Sequence, residues 1–216
     1  MRKNNILFLI CIILFSLSYS VYGATGYGTP EIYRITISKV ELYNSTTSSW
    51  VRVGEGELTF NIASVNAGEI VGSYVSSKSI PEGVYTKDRV TVSRTISIKS
   101  TGTIGATTYY TTATTVSGPD GTQAVLASTN SSDYAEGTLK SPGTSQGEHY
   151  NVIGEYFTDT STFSQPLVVK KGMTKKIRIK FDVTNAVTFD DTDGISGNGN
   201  DVCYPNAPTV TVEVVD

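Results

Sequence analysis

Cysteine and histidine are scarce in this chain of 216 residues, and each scarcity removes a class of chemistry. There are two cysteines, and Cys11 sits inside an apolar N-terminal run, so the rest of the chain has one thiol, Cys203, and no internal disulfide to form. A lone thiol in an oxidising compartment is either buried and inert or paired with another chain. Cysteine is among the most buried residue types, which favours burial and a slow-reacting Cys203. The one histidine, His149, cannot fill a structural zinc site with Cys203 unless carboxylates join them. Basic residues are outnumbered too: 17 Lys and Arg stand against 20 Asp and Glu, a net charge of −3. That balance lacks the basic footprint of a nucleic-acid-binding protein. No window shows a sustained period near 3.6, so helices are not expected.

What is present begins with a leader. Arg2 and Lys3 precede an apolar run from Ile6 to Leu17, and Val21-Tyr22-Gly23 ends on a small residue. Basic start, short apolar core and small-residue exit make a secretory signal peptide, residues 1–23, with cleavage expected before Ala24. The run is short for a membrane span, and an uncleaved N-terminal anchor is the competing reading. Phe8-Leu9-Ile10 before Cys11 lacks the small residue of a lipid-attachment site. Cleavage removes Arg2 and Lys3, which leaves 15 basic against 20 acidic residues, a net −5. The expected product is extracytoplasmic (secreted, periplasmic or at the cell surface), with no stable membrane span after cleavage. Residues 24–216 are of a length for one domain with its own core.

The pattern along that domain is strand after strand. Ile80-Pro81-Glu82-Gly83 reads as a turn feeding a long strand, in which Val84, Thr86, Asp88, Val90 and Val92 share one face. Lys87 and Arg89 mark the other face as the wetter one, with Tyr85 at its edge. Tyr33, Ile35 and Ile37 alternate with polar residues. The phase then slips at Ser38-Lys39, as at a β-bulge, and continues with Val40 and Leu42. Trp50 to Val53 completes a hairpin, Gly54-Glu55-Gly56 reads as a turn, and Leu58, Phe60 and Ile62 alternate again. Residues 69–75, 107–116, 122–127, 150–157, 167–169, 176–183 and 210–214 are further strand candidates, and 130–147 is the longest loop. Turn signals recur roughly every 8–12 residues, as in sandwiches and barrels. The expected fold is all-β, an antiparallel β-sandwich of the Ig-like kind. Residues 100–165, the most polar part, are an elaboration on a smaller core.

Arg34-Ile35-Thr36-Ile37-Ser38-Lys39-Val40-Glu41-Leu42, Trp50, Val53, Phe60-Asn61-Ile62, the run from Ile80 to Thr86, Arg89, Ile179-Lys180-Phe181-Asp182 and Pro208-Thr209-Val210-Thr211-Val212 follow in a suggestive order. Over residues 31–100 and 166–216 the chain resembles a bacterial exported domain family of unknown function. That family is similar to transthyretin-like and carboxypeptidase-regulatory-like β-sandwiches. The resemblance implies a sandwich fold and export, and brings no catalytic residue with it.

Four stretches bear on chemistry. Gly143-Thr144-Ser145-Gln146-Gly147 matches G-x-S-x-G near His149, but a nucleophile elbow needs a strand before the serine and a helix after it. Here a Ser-Pro-Gly loop precedes and a strand follows, so a non-enzymatic protein is expected. Asp190, Asp191, Asp193, Asn198, Asn200 and Asp201 crowd hard oxygens into a Gly-rich loop, which suits calcium, although the EF-hand's closing Glu is missing. A plain polar turn with no cofactor is the simpler reading of the same residues. Trp50, Tyr109, Tyr110, Tyr134, Tyr150 and Tyr156 offer faces for stacking on a glycan, or serve as core and strand aromatics. The uncharged ribbon 106–127 has no clear core face, and Tyr109, Tyr110, Thr112 and Thr114 mark it as a strand to add to another sheet. Two functions follow. One is a structural or adhesive surface protein working through strand edges with other chains or copies of itself. The other is an extracellular module for a glycan or other ligand, stabilised by calcium.

Overall fold

Two long bent strands carry the architecture of the computed structural model, which describes residues 23–64, 80–117, 121–147, 150–170 and 176–215. The strands are β1 (Ala24–Gly28), β2 (Pro30–Asn44), β3 (Ser49–Asn61), β4 (Gly83–Ser93), β5 (Thr95–Ile104), β6 (Thr107–Ser117), β7 (Gln123–Ser128), β8 (Gly137–Lys140), β9 (Asn151–Ile153), β10 (Tyr156–Val169), β11 (Lys176–Asp182), β12 (Val187–Asp191), β13 (Val202–Pro205) and β14 (Thr209–Val215). Thr29 alone separates β1 from β2, and Arg94 alone separates β4 from β5. The two composite strands lie antiparallel along their whole length: Tyr27 faces Thr103, Pro30 faces Ser100, Ile37 faces Val92 and Asn44 faces Tyr85.

Each end of this pair recruits different neighbours. At one end β3 and β10 flank β2 and β4, β9 continues beyond β10, and β8 lies against β5. At the other end the order β1-β12-β13-β7-β6-β5 returns to β1 through Tyr27 and Thr103, closing a ring of six strands. Twelve strands thus form one continuous antiparallel sheet, and β11 and β14 pair separately. The all-β class expected from the alternation is what is found. Within residues 100–165, Tyr109, Val125, Ala127 and Leu139 belong to the main hydrophobic cluster.

The ring is filled rather than hollow. Tyr109, Val125, Ala127, Val187, Phe189 and Cys203 are buried together inside it. Room for the Phe189 ring and for the β1–β5 seam comes from glycine. A Cβ on Gly102 would run into the Phe189 ring, and one on Gly26 would collide with the Thr103 carbonyl oxygen across the β1–β5 seam. Cys203 is fully buried and its thiol faces the Val125 carbonyl at 3.4 Å. Burial pushes its pKa upward, as expected of an inert thiol.

Several local expectations need correction. The bulge at Ser38 is present, as the register slips between Ile37 and Lys39 on both sides of β2. Gly54-Glu55-Gly56 is not a turn, because β3 runs through it and absorbs the extra residue as a second slip beside Val40 and Glu41. Residues 130–147 contain a 3-10 turn at Ser131–Asp133 and strand β8, whose Leu139 is core. Residues 150–157 are a hairpin turning at Gly154-Glu155, not one strand. Tyr85 is fully buried with Leu42, Val53, Leu167 and Val169, and its hydroxyl donates to the Pro81 carbonyl at 2.8 Å. β4 pairs with β2 and β10 along its two edges, and Lys87 and Arg89 on the face of Tyr85 are half-buried. The candidate strand at 69–75 lies outside the described residues.

The junction of β4 and β5 is pinned by a buried cation. Arg94 donates from Nε and Nη2 to the Ser141 carbonyl, at 3.0 and 2.7 Å, and from Nη1 to that of Gly154. It thereby ties the loops flanking β8 and β9 to the bend. Arg94→Met, which keeps volume and removes the donors, should lower stability by about 1–3 kcal/mol because both carbonyls lose their partner. Urea unfolding at constant slope measures this, and an unchanged midpoint would show that water replaces the guanidinium.

Candidate metal centre

Alternation along β12 turns Val187, Phe189 and Asp191 into the ring and puts Asp190 on the opposite face. On β13, Cys203 points inward, and so does Asp201 two residues before it. The backbone of Asp201 is tied to β7, since Ala127 N–H donates to its carbonyl at 2.9 Å. Asp191 and Asp201 therefore stand at the rim of the ring, 3% and 0% exposed, and the 192–200 loop folds Asp193 over them. One carboxylate oxygen from each of Asp191, Asp193 and Asp201 lies within 4.8 Å of the others.

The second oxygens of the buried pair are held by the fold. Tyr109 Oη and Ser196 Oγ donate to Asp191 Oδ2 at 3.4 and 3.3 Å, and Gly197 N–H donates to Asp201 Oδ2 at 2.6 Å. Asp191 Oδ1 and Asp201 Oδ1 are buried without a hydrogen-bond partner. Asp193 accepts from Asn198 Nδ2 at 2.6 Å, from Asn200 Nδ2 at 3.2 Å and from Ile195 N–H at 2.9 Å. Asn198, Asn200 and the Ile195 N–H hold the Asp193 carboxyl below the usual range. Burial pushes Asp201 up against the pull of the Gly197 N–H, and the charges of Asp191, Asp193 and Asp190 add to the rise.

Three carboxylates this close, two of them out of water, need a proton or a cation between them. The donor set is all oxygen, which selects a hard cation over zinc. Calcium binds oxygens at about 2.4 Å, so two ligands on opposite sides of one ion are about 4.8 Å apart. The triad fits inside one such sphere. Asp191, Asp193 and Asp201 would supply the charge, Ser196 stands beside them, and water would complete the six to eight ligands calcium takes.

Of the six residues expected in the loop, the structure gathers three. Asp190 is excluded by strand alternation. Asn198 and Asn200 turn their amide nitrogens to Asp193 and orient it. Tyr109 and Ser196 belong to the centre and were not foreseen there. Tyr109 is fully buried, so it cannot be an intermolecular contact. β6 is paired with β5 over Thr107–Tyr110 and with β7 at Tyr110–Thr111 and Thr115–Ser117, and its inward row of Tyr109 and Thr111 faces the ring. Tyr110, Thr112 and Thr114 share the outer row. Thr112 is itself buried, donating to the Leu126 carbonyl at 2.9 Å and accepting from Thr114 N–H.

The aromatic candidates do not form one platform. Trp50 packs on Tyr43 and under the Arg89 guanidinium, Tyr110 meets Tyr134 edge-on, and Tyr150 stacks on Phe157. Tyr156 bonds Glu57. Ser145 donates to Asn151 Oδ1 in an exposed loop followed by β9, not a helix, and His149 lies outside the described residues. Among the described residues, no helix is long and apolar enough to cross a membrane. Comparison with protein-family models, with curated proteins and with solved structures finds no match to the chain.

Proposed function

We propose that the protein is an exported, non-enzymatic β-module that binds calcium at the rim of its strand ring and presents the stiffened rim to an extracytoplasmic ligand. The observation that carries this reading is the pair of buried, unpartnered oxygens, Asp191 Oδ1 and Asp201 Oδ1, beside the Asp193 carboxylate. Calcium there neutralises the cluster and crosslinks β12, β13 and their loop. The leader at 1–23 and the resemblance to an exported family support the compartment, where free calcium is plentiful.

A second reading, contact through a strand edge, has β3 as its longest candidate, a strand that pairs with β2 alone among the described residues. That edge carries Arg52, Glu55 and Glu57, and charges on an edge guard against sheet addition. Ligand binding at the rim is the preferred reading, because the buried unpartnered oxygens there call for a cation.

Calcium at millimolar concentration should raise the melting temperature by mass action, by about 2.7 kcal/mol of stability at a hundredfold excess over Kd. Asp191→Ala with Asp193→Ala should abolish the rise. Asp201→Asn should separate a cation site from a plain loop: the calcium-free protein becomes more stable at neutral pH, because a repelled buried charge is gone, while the calcium response is lost. Scanning calorimetry with calcium and with chelator reads both. No shift at millimolar calcium would overturn the reading.

A further inference from the structure

The strongest unassigned feature outside the carboxylate cluster is a cleft of about 440 Å³ on the outer side of the same rim. One wall is the outer row of β6 and β7, including Thr112, Thr114, Leu126 and Ser128, and the other is Gly197 and Gly199 of the 192–200 loop. The β6–β7 ladder is interrupted at this point. Thr111 pairs with Ala127 and Thr115 with Val125, so three residues oppose one. Bulges of this kind re-aim side chains and recur beside binding sites.

We propose that this cleft binds a neutral, polyhydroxylated ligand, a glycan, and that calcium in the adjacent centre sets its glycine wall. The inference rests on the calcium reading. The ligand class follows from the lining. Asp133 is the one ionisable residue among the described lining residues, which disfavours anions. Asp133 accepts from Ser128 Oγ at 2.7 Å, and a carboxylate has acceptor capacity beyond one bond, suited to neighbouring hydroxyls. Thr114 and Ser128 add hydroxyls, while Ala113, Leu126 and Ala135 add the small apolar surface that the C–H face of a sugar covers. Tyr110, edge-on to Tyr134, stands one step further along the same outer row.

The coupling follows from bonds already described. Asp201 holds the Gly197 N–H, and Asp193 holds the side chains of Asn198 and Asn200 on either side of Gly199. The carboxylates that would bind the cation therefore hold the cleft wall. Gly197 has φ +76 and packs on Thr129 of the facing segment, where a Cβ would collide with Oγ1, so the wall has little freedom once its anchors are fixed. Loss of the cation leaves three repelling carboxylates and releases that wall.

The test uses the exported full chain, with the calcium-dependent melting shift measured first and an array of neutral glycans probed in calcium and in EDTA. Retention is expected in calcium and lost in EDTA. Asp133→Asn should weaken retention roughly tenfold, and Thr114→Lys, at an exposed position, should block the cleft. Both variants should keep the calcium shift, which shows that they fold. A calcium shift with no neutral glycan retained, with only anionic glycans retained, or with retention indifferent to EDTA or to both variants overturns this inference and leaves the calcium reading standing. Absence of the shift itself overturns both.

Discussion

Phe189→Ala should remove about 3–5 kcal/mol of stability, more than any surface change in this chain. Phe189 is fully buried, its ring centre lies 6.3 Å from that of Tyr109, and it opposes Cys203 on the neighbouring strand. The strands around it close into a ring, so its neighbours cannot collapse into the cavity without opening a ladder. For a domain of this size the melting temperature should fall by on the order of 10 °C. Asp191 is two residues along the same inward row and Tyr109 donates to it, so the proposed calcium affinity should fall with stability. The pairing with Gly102 gives a sharper form of the same test. Gly102→Ala alone drives a methyl into the Phe189 ring and should destabilise by overpacking. Combined with Phe189→Leu, it should cost less than the sum of the two single changes, as contacting residues do. Strict additivity would mean that the two do not share the ring interior.

The parts of this fold readable in the sequence are those fixed by local alternation. Ile35, Ile37, Val40 and Leu42 announce both β2 and its bulge, because a phase slip of one residue has only that local explanation. The ring is not readable. Its closure depends on Gly26 lying against Thr103, and a glycine in a polar N-terminal stretch carries no sign of what will pack on it. Tyr85 was misplaced for a similar reason. Its neighbours Lys87 and Arg89 mark a wet face, and what buries Tyr85 is packing by Leu42, Val53, Leu167 and Val169, residues remote in sequence. At the candidate site the oxygen-rich composition of residues 190–201 was visible, but its geometry was only half drawn out. Carrying the alternation of Val187 and Phe189 two residues further turns Asp191 inward and Asp190 outward, so that exclusion was available from sequence. The arrival of Tyr109 at Asp191 was not, since it depends on β6 and β12 meeting across the ring, 82 residues apart.

At neutral pH, Asp88→Asn should make the protein more stable, the reverse of the usual effect of altering a buried polar group. Asp88 lies on β4, 4% exposed, with Oδ1 buried and unbonded. Burial, reinforced by the charge of Asp159 on β10, raises its pKa to about 6. The native state therefore holds this proton more tightly than the unfolded chain does. Between the unfolded carboxyl near pH 4 and the folded one near pH 6, stability falls as pH rises. Above pH 6 the full cost is present, and a shift of about two units corresponds to about 3 kcal/mol as an upper value. An amide carries no charge at any pH, so Asp88→Asn should gain most of that at pH 7 and almost nothing at pH 4. The Glu41 cluster beside it does not produce the same signature. Although burial raises the Glu41 carboxyl, Lys39 and Arg89 outweigh it and hold that group low, and its contribution is lost on acidification instead. Urea unfolding of both proteins from pH 4 to 7, in chelator so that calcium does not contribute, separates the two. The difference should open progressively through pH 5 and 6. Equal stabilities at pH 7, or a gap that widens toward acid, would show that Asp88 is solvated or paired in solution.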